Sequence, residues 1–315
     1  VMNKISMVLV ALGSCLAMEV TAQSRILPIL EGTPDVRSAA MGATQLGNTN
    51  QMFIYSNPAA LSFGETQFSA EASLEAQPKT DTGRLIQYNF ATGYRFNNRS
   101  ALMAGMRYLG GLTVPVVGST SATNNVSPYD LTLDMGYSFT VTEHVAVYTT
   151  ATYVHSHSAT STNALTFSLG GAYQLPFAVT KNMNSTLTLG VRLMDFGKAV
   201  KFNNTGIPQS LPTSVVIGGD WQVNLAPKHR LTYALSTRYF TPKDAHETLV
   251  GTGLEYTYNK MLSARVGYQC ANKASDAISF GAGGQIKNLK LDVAYQHAFA
   301  NYGVDALMVH LGYSF

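Results

Sequence analysis

The chain is 315 residues long with a net charge of +3; only 12% of its residues are charged, while tyrosine and phenylalanine together number thirty-one. No cluster of lysine or arginine marks a nucleic-acid or other polyanionic partner, and past the leader no run approaches the ~20 apolar residues that a spanning helix needs. These features exclude a helical membrane protein and leave an all-β chain whose apolar residues are spread in alternation.

Residues 1–22 read as a signal peptide. Lys4 supplies a positive start, Ile5 to Leu12 and Leu16 to Val20 are apolar, and Val20-Thr21-Ala22 is the small-residue pattern that a signal peptidase cuts after, so the mature chain is expected to begin near Gln23. Leu12-Gly13-Ser14-Cys15 competes as a lipoprotein box with Cys15 lipidated, but Leu16, Ala17 and Met18 follow where a lipoprotein turns polar. Both readings imply export. Cleavage would leave Cys270 as the one cysteine, an apolar strand residue with no intramolecular disulfide.

Residues 23–64 are expected to form an amino-terminal hatch or plug. The stretch does not alternate cleanly: Ser38 to Ala43 is rich in small residues, and Asn57-Pro58-Ala59-Ala60-Leu61 reads as a turn opening a short helix with Pro58 at its first position.

Residues 65–315 are expected to form a 14-stranded antiparallel transmembrane β-barrel. Alternating segments fall near 66–76, 84–96, 99–110, 129–140, 143–155, 163–175, 185–196, 213–225, 229–240, 248–259, 261–270, 277–287, 289–298 and 305–315. Connections alternate too: tight at Asn97-Asn98, Thr140 to Thr142, 226–228, Asn259-Lys260 and Lys287-Asn288, longer at 111–128, 156–162, 197–212 and 241–247. Short periplasmic turns and longer outer loops give this rhythm, and the stretch 176–185, long where a tight turn is expected, breaks it. The last segment puts apolar side chains at every odd position, and Leu311, Tyr313 and Phe315 resemble the signal read by outer-membrane assembly machinery.

Side-chain parity sorts the strands into two faces. One carries Tyr88, Phe90, Tyr94 and Phe96, then Leu131 to Phe139, Leu187 to Leu193 and Leu289 to Tyr295 at odd or even steps; the other carries Glu71, Glu75, Arg95, Arg107, Asp134, Arg192, Asp220, Arg238, Glu255, Arg265, Lys290 and Asp292. Arg or Lys facing lipid would cost ~2–4 kcal/mol at the midplane, so the charged face is assigned to the lumen. Six acids and six bases there suit a cross-braced interior better than an ion-selective pore, whose wall favours one sign. Fourteen strands enclose more space than wall side chains fill, so a plug is expected.

No catalytic residue, cofactor or metal ligand is assigned. His155-Ser156-His157-Ser158 is the most catalytic-looking cluster, but no Cys, Asp or Glu lies within the next several residues to complete it, and a hydrated loop tip is the better reading. Gly281-Ala282-Gly283-Gly284 lacks the Lys-Ser/Thr and helix of a phosphate loop and reads as glycines easing strand curvature.

The pair of motifs Pro34-Asp35-Val36-Arg37-Ser38-Ala39-Ala40-Met41-Gly42 and Asn57-Pro58-Ala59 resembles the amino-terminal hatch signature of FadL-like outer-membrane barrels, and within these the PorV/PorQ family associated with type IX secretion in Bacteroidetes. The leader ending Thr21-Ala22-Gln23 is similar to leaders of that phylum. The resemblance implies a non-enzymatic integral protein of the bacterial outer membrane, in contact with lipid and, through its loops or outer wall, with protein partners in a larger complex. A FadL-like channel for hydrophobic molecules is the alternative, with Val114, Pro115, Val116 and Val117 as candidate pocket residues. The chain is compact and lacks a very long outer loop, which weakens any reading in which it grips a folded cargo domain.

Overall fold

The computed structural model describes residues 25–117, 123–180, 183–202, 208–243, 245–300 and 303–315. The expected leader, with Cys15, lies outside them. A single 3-10 turn at Pro28–Leu30 comes first, then three short helices, α1 (Val36–Ala40), α2 (Phe53–Ser56) and α3 (Pro58–Phe63). The strands follow: β1 (Phe68–Ala76), β2 (Gly83–Arg95), β3 (Ser100–Leu112), β4 (Val114–Val117), β5 (Thr123–Val126), β6 (Tyr129–Thr142), β7 (Val145–His157) and β8 (Ser161–Thr180). The remainder are β9 (Met183–Gly197), β10 (Ser214–Ala226), β11 (His229–Phe240), β12 (Glu247–Tyr258), β13 (Leu262–Ala271), β14 (Ala277–Ile286), β15 (Leu289–Ala298) and β16 (Ala306–Ser314).

Fourteen strands close into one antiparallel barrel, while β4 and β5 pair with each other as a separate hairpin within the outer connection from β3 to β6. Closure comes from β1 and β16, with Ser69 opposite Ser314 and Ala76 opposite Leu307. The Phe315 carbonyl accepts from the N–H groups of Gln67 and Phe68, and the Phe68 and Phe315 rings lie 5.5 Å apart. Closure pairs the first strand of the barrel with the last, the condition for backbone polar groups to survive in hydrocarbon.

The alternation becomes two chemically different surfaces. On β6, Leu133 and Met135 are 52% and 62% exposed, whereas Thr132 and Asp134 are 0% and 4% exposed. Charge therefore points in and grease points out, which in a barrel means toward lipid. Aromatic rings gather at both ends of the wall. Tyr88, Tyr108, Tyr129, His155 and His157 form a chain of ring contacts at one end, and Tyr94 with Phe96 and His229 with Tyr256 and Tyr258 lie at the other. Such girdles sit at the two membrane interfaces.

The stretch 176–185 is not a long connection. Strand β8 continues to Thr180 and β9 begins at Met183, with Phe177 opposite Ser185. Pro176 disguised this: it cannot donate a ladder hydrogen bond, but the β7–β8 pairing already ends at Tyr173, so beyond it one edge of β8 needs no donor.

One irregularity reverses parity. The β8–β9 register shifts between Phe167 and Leu169, and Asp195 adopts φ 54°, so both Met194 and Asp195 turn toward the interior. Strict alternation would put Asp195 on the lipid side with Leu193; a bulge is the physical reason it turns inward.

Candidate functional site

The interior holds the amino-terminal segment, and the site is the contact between that segment and the wall. Asp35 caps α1, its carboxylate accepting from the N–H groups of Arg37 and Ser38, the Ser38 hydroxyl at 2.6 Å and the Gln51 amide at 2.8 Å. Asn57 does the same for α3, accepting from Ala59 N–H while its own amide donates to the carbonyls of Leu46 and Gly47. Pro58 occupies the first turn of that helix, where its missing N–H costs nothing. Two caps thus fold a stretch too short to be helical alone.

Small residues set how closely the segment approaches the wall. Gly42 has φ +73°, and its N–H donates to the Ser279 hydroxyl at 3.0 Å. A Cβ there would lie 2.4 Å from the Tyr268 carbonyl oxygen. The facing wall is equally bare: a Cβ on Gly253 or Gly281 would lie 2.5 Å from the Cβ of Met41 or Ala40, and one on Gly267 would lie 2.0 Å from Gly42 N. Gly281 therefore admits Ala40, and Gly283 admits the Asp292 carboxylate and the Arg265 guanidinium. The glycines at 281 and 283 thus make room for neighbours.

Buried charge then ties segment to wall. Glu255 accepts from Arg37 Nε at 2.9 Å and Nη2 at 3.0 Å, and from Arg265 Nε at 2.6 Å. The chain of contacts continues from Arg265 to Asp292 at 2.5 Å, from Asp292 to His310 at 3.1 Å and from His310 to Glu71 at 3.3 Å; Glu71 in turn accepts from Met52 N–H. Burial works against the Arg37 charge, but the carboxylates of Glu255, Asp220 and Asp35 more than offset it and raise its pKa.

A second set of wall cations meets carbonyl oxygens that helical turns leave without intrahelical partners. Arg107 donates to the Ile29 carbonyl at 3.0 Å, Arg238 to those of Glu31 at 3.0 Å and Leu30 at 3.3 Å, and Arg192 to those of Ile54 at 3.3 Å and Tyr55 at 3.4 Å. Lys290 donates to the Asn50 carbonyl. Asp134 pairs with Arg107 at 2.8 Å and accepts from the Tyr55 hydroxyl at 2.9 Å. Burial, with Asp134 beside it, pushes the Tyr55 phenol well above its usual range, so it remains a donor.

Of the twelve charges assigned to the lumen, ten are buried; Glu75 and Arg95 are half-exposed. The expected bracing takes a different form. Direct wall-to-wall pairs join close strands, as in Arg107–Asp134, Glu255–Arg265 and Arg265–Asp292, while bracing across the interior runs through the segment. Arg192 and Lys290 take backbone carbonyls of the segment in place of acids.

Several participants were not singled out in the sequence. Arg230 shares the inward parity of its strand and was legible there. Asp195 was hidden by its bulge. Arg25, which bridges Glu31 at 2.8 Å and Glu247 at 2.5 Å and lies over the Phe240 ring, sits in a stretch without periodicity.

The remaining sequence candidates lie apart from this interior. His155 and His157 are on the outer face at the end of β7, bonded to Asn163 and Ser161, whereas Ser156 between them is buried on the inner face, so serine and histidines cannot act together. Val114 and Pro115 are exposed on the β4 hairpin; the side chains of Val116 and Val117 lie outside the described set. Leu311, Tyr313 and Phe315 face outward on the closing strand. Cys270 is buried on β13.

Solved structures with this architecture include the Pseudomonas putida toluene transporter TodX, at 14% identity and a TM-score of 0.60 over 89% of this chain and 97% of that one. The CymD monoaromatic hydrocarbon channel is similar at 13% identity and a TM-score of 0.60, over 91% and 98% of the two chains. A Pseudomonas aeruginosa FadL homologue follows at 11% identity and 0.50, over 90% and 97%. At these identities the likeness is one of fold alone. No curated protein matches the chain. The family model described as "Type IX secretion system protein PorV" matches residues 18–243, and the chain belongs to that family.

Proposed function

We propose that the protein is a non-enzymatic accessory or docking component of an outer-membrane complex related to type IX secretion, and that residues 23–64 are a fixed hatch. The observation that supports this most is the way the segment is held. Arg37 is clamped by Glu255, three wall arginines and Lys290 seize carbonyl oxygens of the segment, and Met41-Gly42 sits against bare glycines of the wall. Opening would leave buried charges unpartnered, at a cost of about 3–5 kcal/mol for each broken pair. A barrel sealed in this way works through its exterior: loops, rims and the lipid-facing wall.

A FadL-like channel is the second reading. It is favoured by the apolar cluster of Leu27, Ile29, Leu30, Leu109, Val154 and Leu211 beneath the outer loops, next to the bulge at Asp195. Mild solubilisation of native outer membrane, followed by cross-linking and mass spectrometry, separates the two. Docking predicts stoichiometric protein partners cross-linked to loops or outer wall. Recovery as a lone barrel with a hydrophobic molecule held in that cluster would overturn docking in favour of uptake.

A further inference from the structure

The interior has a polar cavity of about 120 Å³ at the tight-turn end of the barrel. Its walls come from the turn sides of β10 to β15, and the segment 48–51 closes one flank. Its charge is unbalanced. Arg37, Arg230, Lys260, Arg265 and Lys290 line it against only two carboxylates, Glu255 and Asp292. Both carboxylates are already engaged, Glu255 by Arg37 and Arg265, Asp292 by Arg265 and His310. Among the described residues Arg230, Lys260 and Lys290 have no acid within 4.0 Å, and the buried Nε of Arg230 has no hydrogen-bond partner.

An unpartnered guanidinium N–H in a low-dielectric wall is costly, and a concave site with three surplus positive charges attracts an anion that supplies several acceptor oxygens. Arg230 enters from β11, Lys290 from β15 and Lys260 from the β12–β13 turn, so the charges converge from separate strands on one small volume. That volume suits a phosphate-sized group and excludes a folded domain. The amides of Asn50 and Gln285 lie on the same lining and add donors. Tight turns of outer-membrane barrels face the periplasm, which puts the mouth of the cavity there.

We infer that this cavity is a periplasm-facing binding site for an oxyanion of the phosphate class, free or carried as a phosphoester. The site is separate from the docking reading and stands or falls without it. The test is calorimetric titration of the whole barrel in a non-ionic detergent with inorganic phosphate at constant ionic strength. Saturable one-to-one binding is expected, weakened about tenfold or more by Arg230→Gln and by Lys260→Gln, the second in an exposed turn whose loss leaves the barrel intact. Lys287→Gln, on a turn outside the cavity, should leave affinity unchanged. Glycerol 3-phosphate distinguishes the sources: binding of both ligands indicates room for a phosphoester, binding of phosphate alone a free ion. Absence of saturable binding, equal affinity in wild type and both cavity variants, or acetate binding as tightly as phosphate would overturn the assignment.

Discussion

Glu255→Ala is expected to destabilise the folded barrel by about 3–5 kcal/mol and to loosen the amino-terminal segment, read as urea-dependent unfolding in lipid vesicles and as protease cleavage within residues 25–64. The side chain is buried and takes three short hydrogen bonds from two guanidiniums. Its removal leaves Arg37 with Asp220 at 3.9 Å and the Asn48 carbonyl at 3.4 Å, and Arg265 with Asp292 alone. A buried cation without its partner accounts for most of the loss, so replacing Arg37 and Glu255 together by methionine should cost far less than Glu255→Ala. A loss below about 1 kcal/mol in the single variant would mean that the clamp contributes no more than a surface pair.

Gly42→Ala is the second large effect. Alanine pays conformational strain of about 1–3 kcal/mol at a positive φ, and here its methyl would also press on two backbone carbonyl oxygens, of Tyr268 at 2.4 Å and Thr252 at 2.7 Å. Backbone in a closed barrel cannot step aside, so the segment must lift from β12 and β13. The expected result is a loss above about 2 kcal/mol, with new cleavage sites in residues 25–64. Gly284→Ala is the matched control: its nearest neighbouring atom would be 4.0 Å away, and its effect should stay within about 0.5 kcal/mol. Equal effects at the two positions would contradict a segment seated on glycines.

Much of the barrel was legible because period two is imposed by lipid on one side and polar filling on the other. Fourteen strands, the closing pair and the burial of ten of the twelve charges follow from that alternation. It failed where local geometry departs from a ladder: at Asp195, where a bulge reverses the faces, and at Pro176, where an unpaired strand edge tolerates a missing donor. The interior segment was legible at its caps, since Asp35 and Asn57-Pro58 carry local chemistry. Its partners were not, because Arg37 and Glu255 are 218 residues apart and no periodicity joins them. The glycines show the same limit: Gly253, Gly267 and Gly281 look like weak strand formers until the backbone they admit is in view.

Apolar side chains face hydrocarbon while the ionic ones surround a filled centre. Carbene footprinting of the native protein in bilayers, with a photoactivatable probe confined to the lipid phase and residue-resolved mass spectrometry, tests this arrangement without any substitution. Labels are expected on Leu133, Met135 and Tyr137 and on Leu289, Leu291 and Val293, and not on Thr132, Asp134 or Ser138. Labels on Thr132 and Ser138, with Met135 protected, would contradict it.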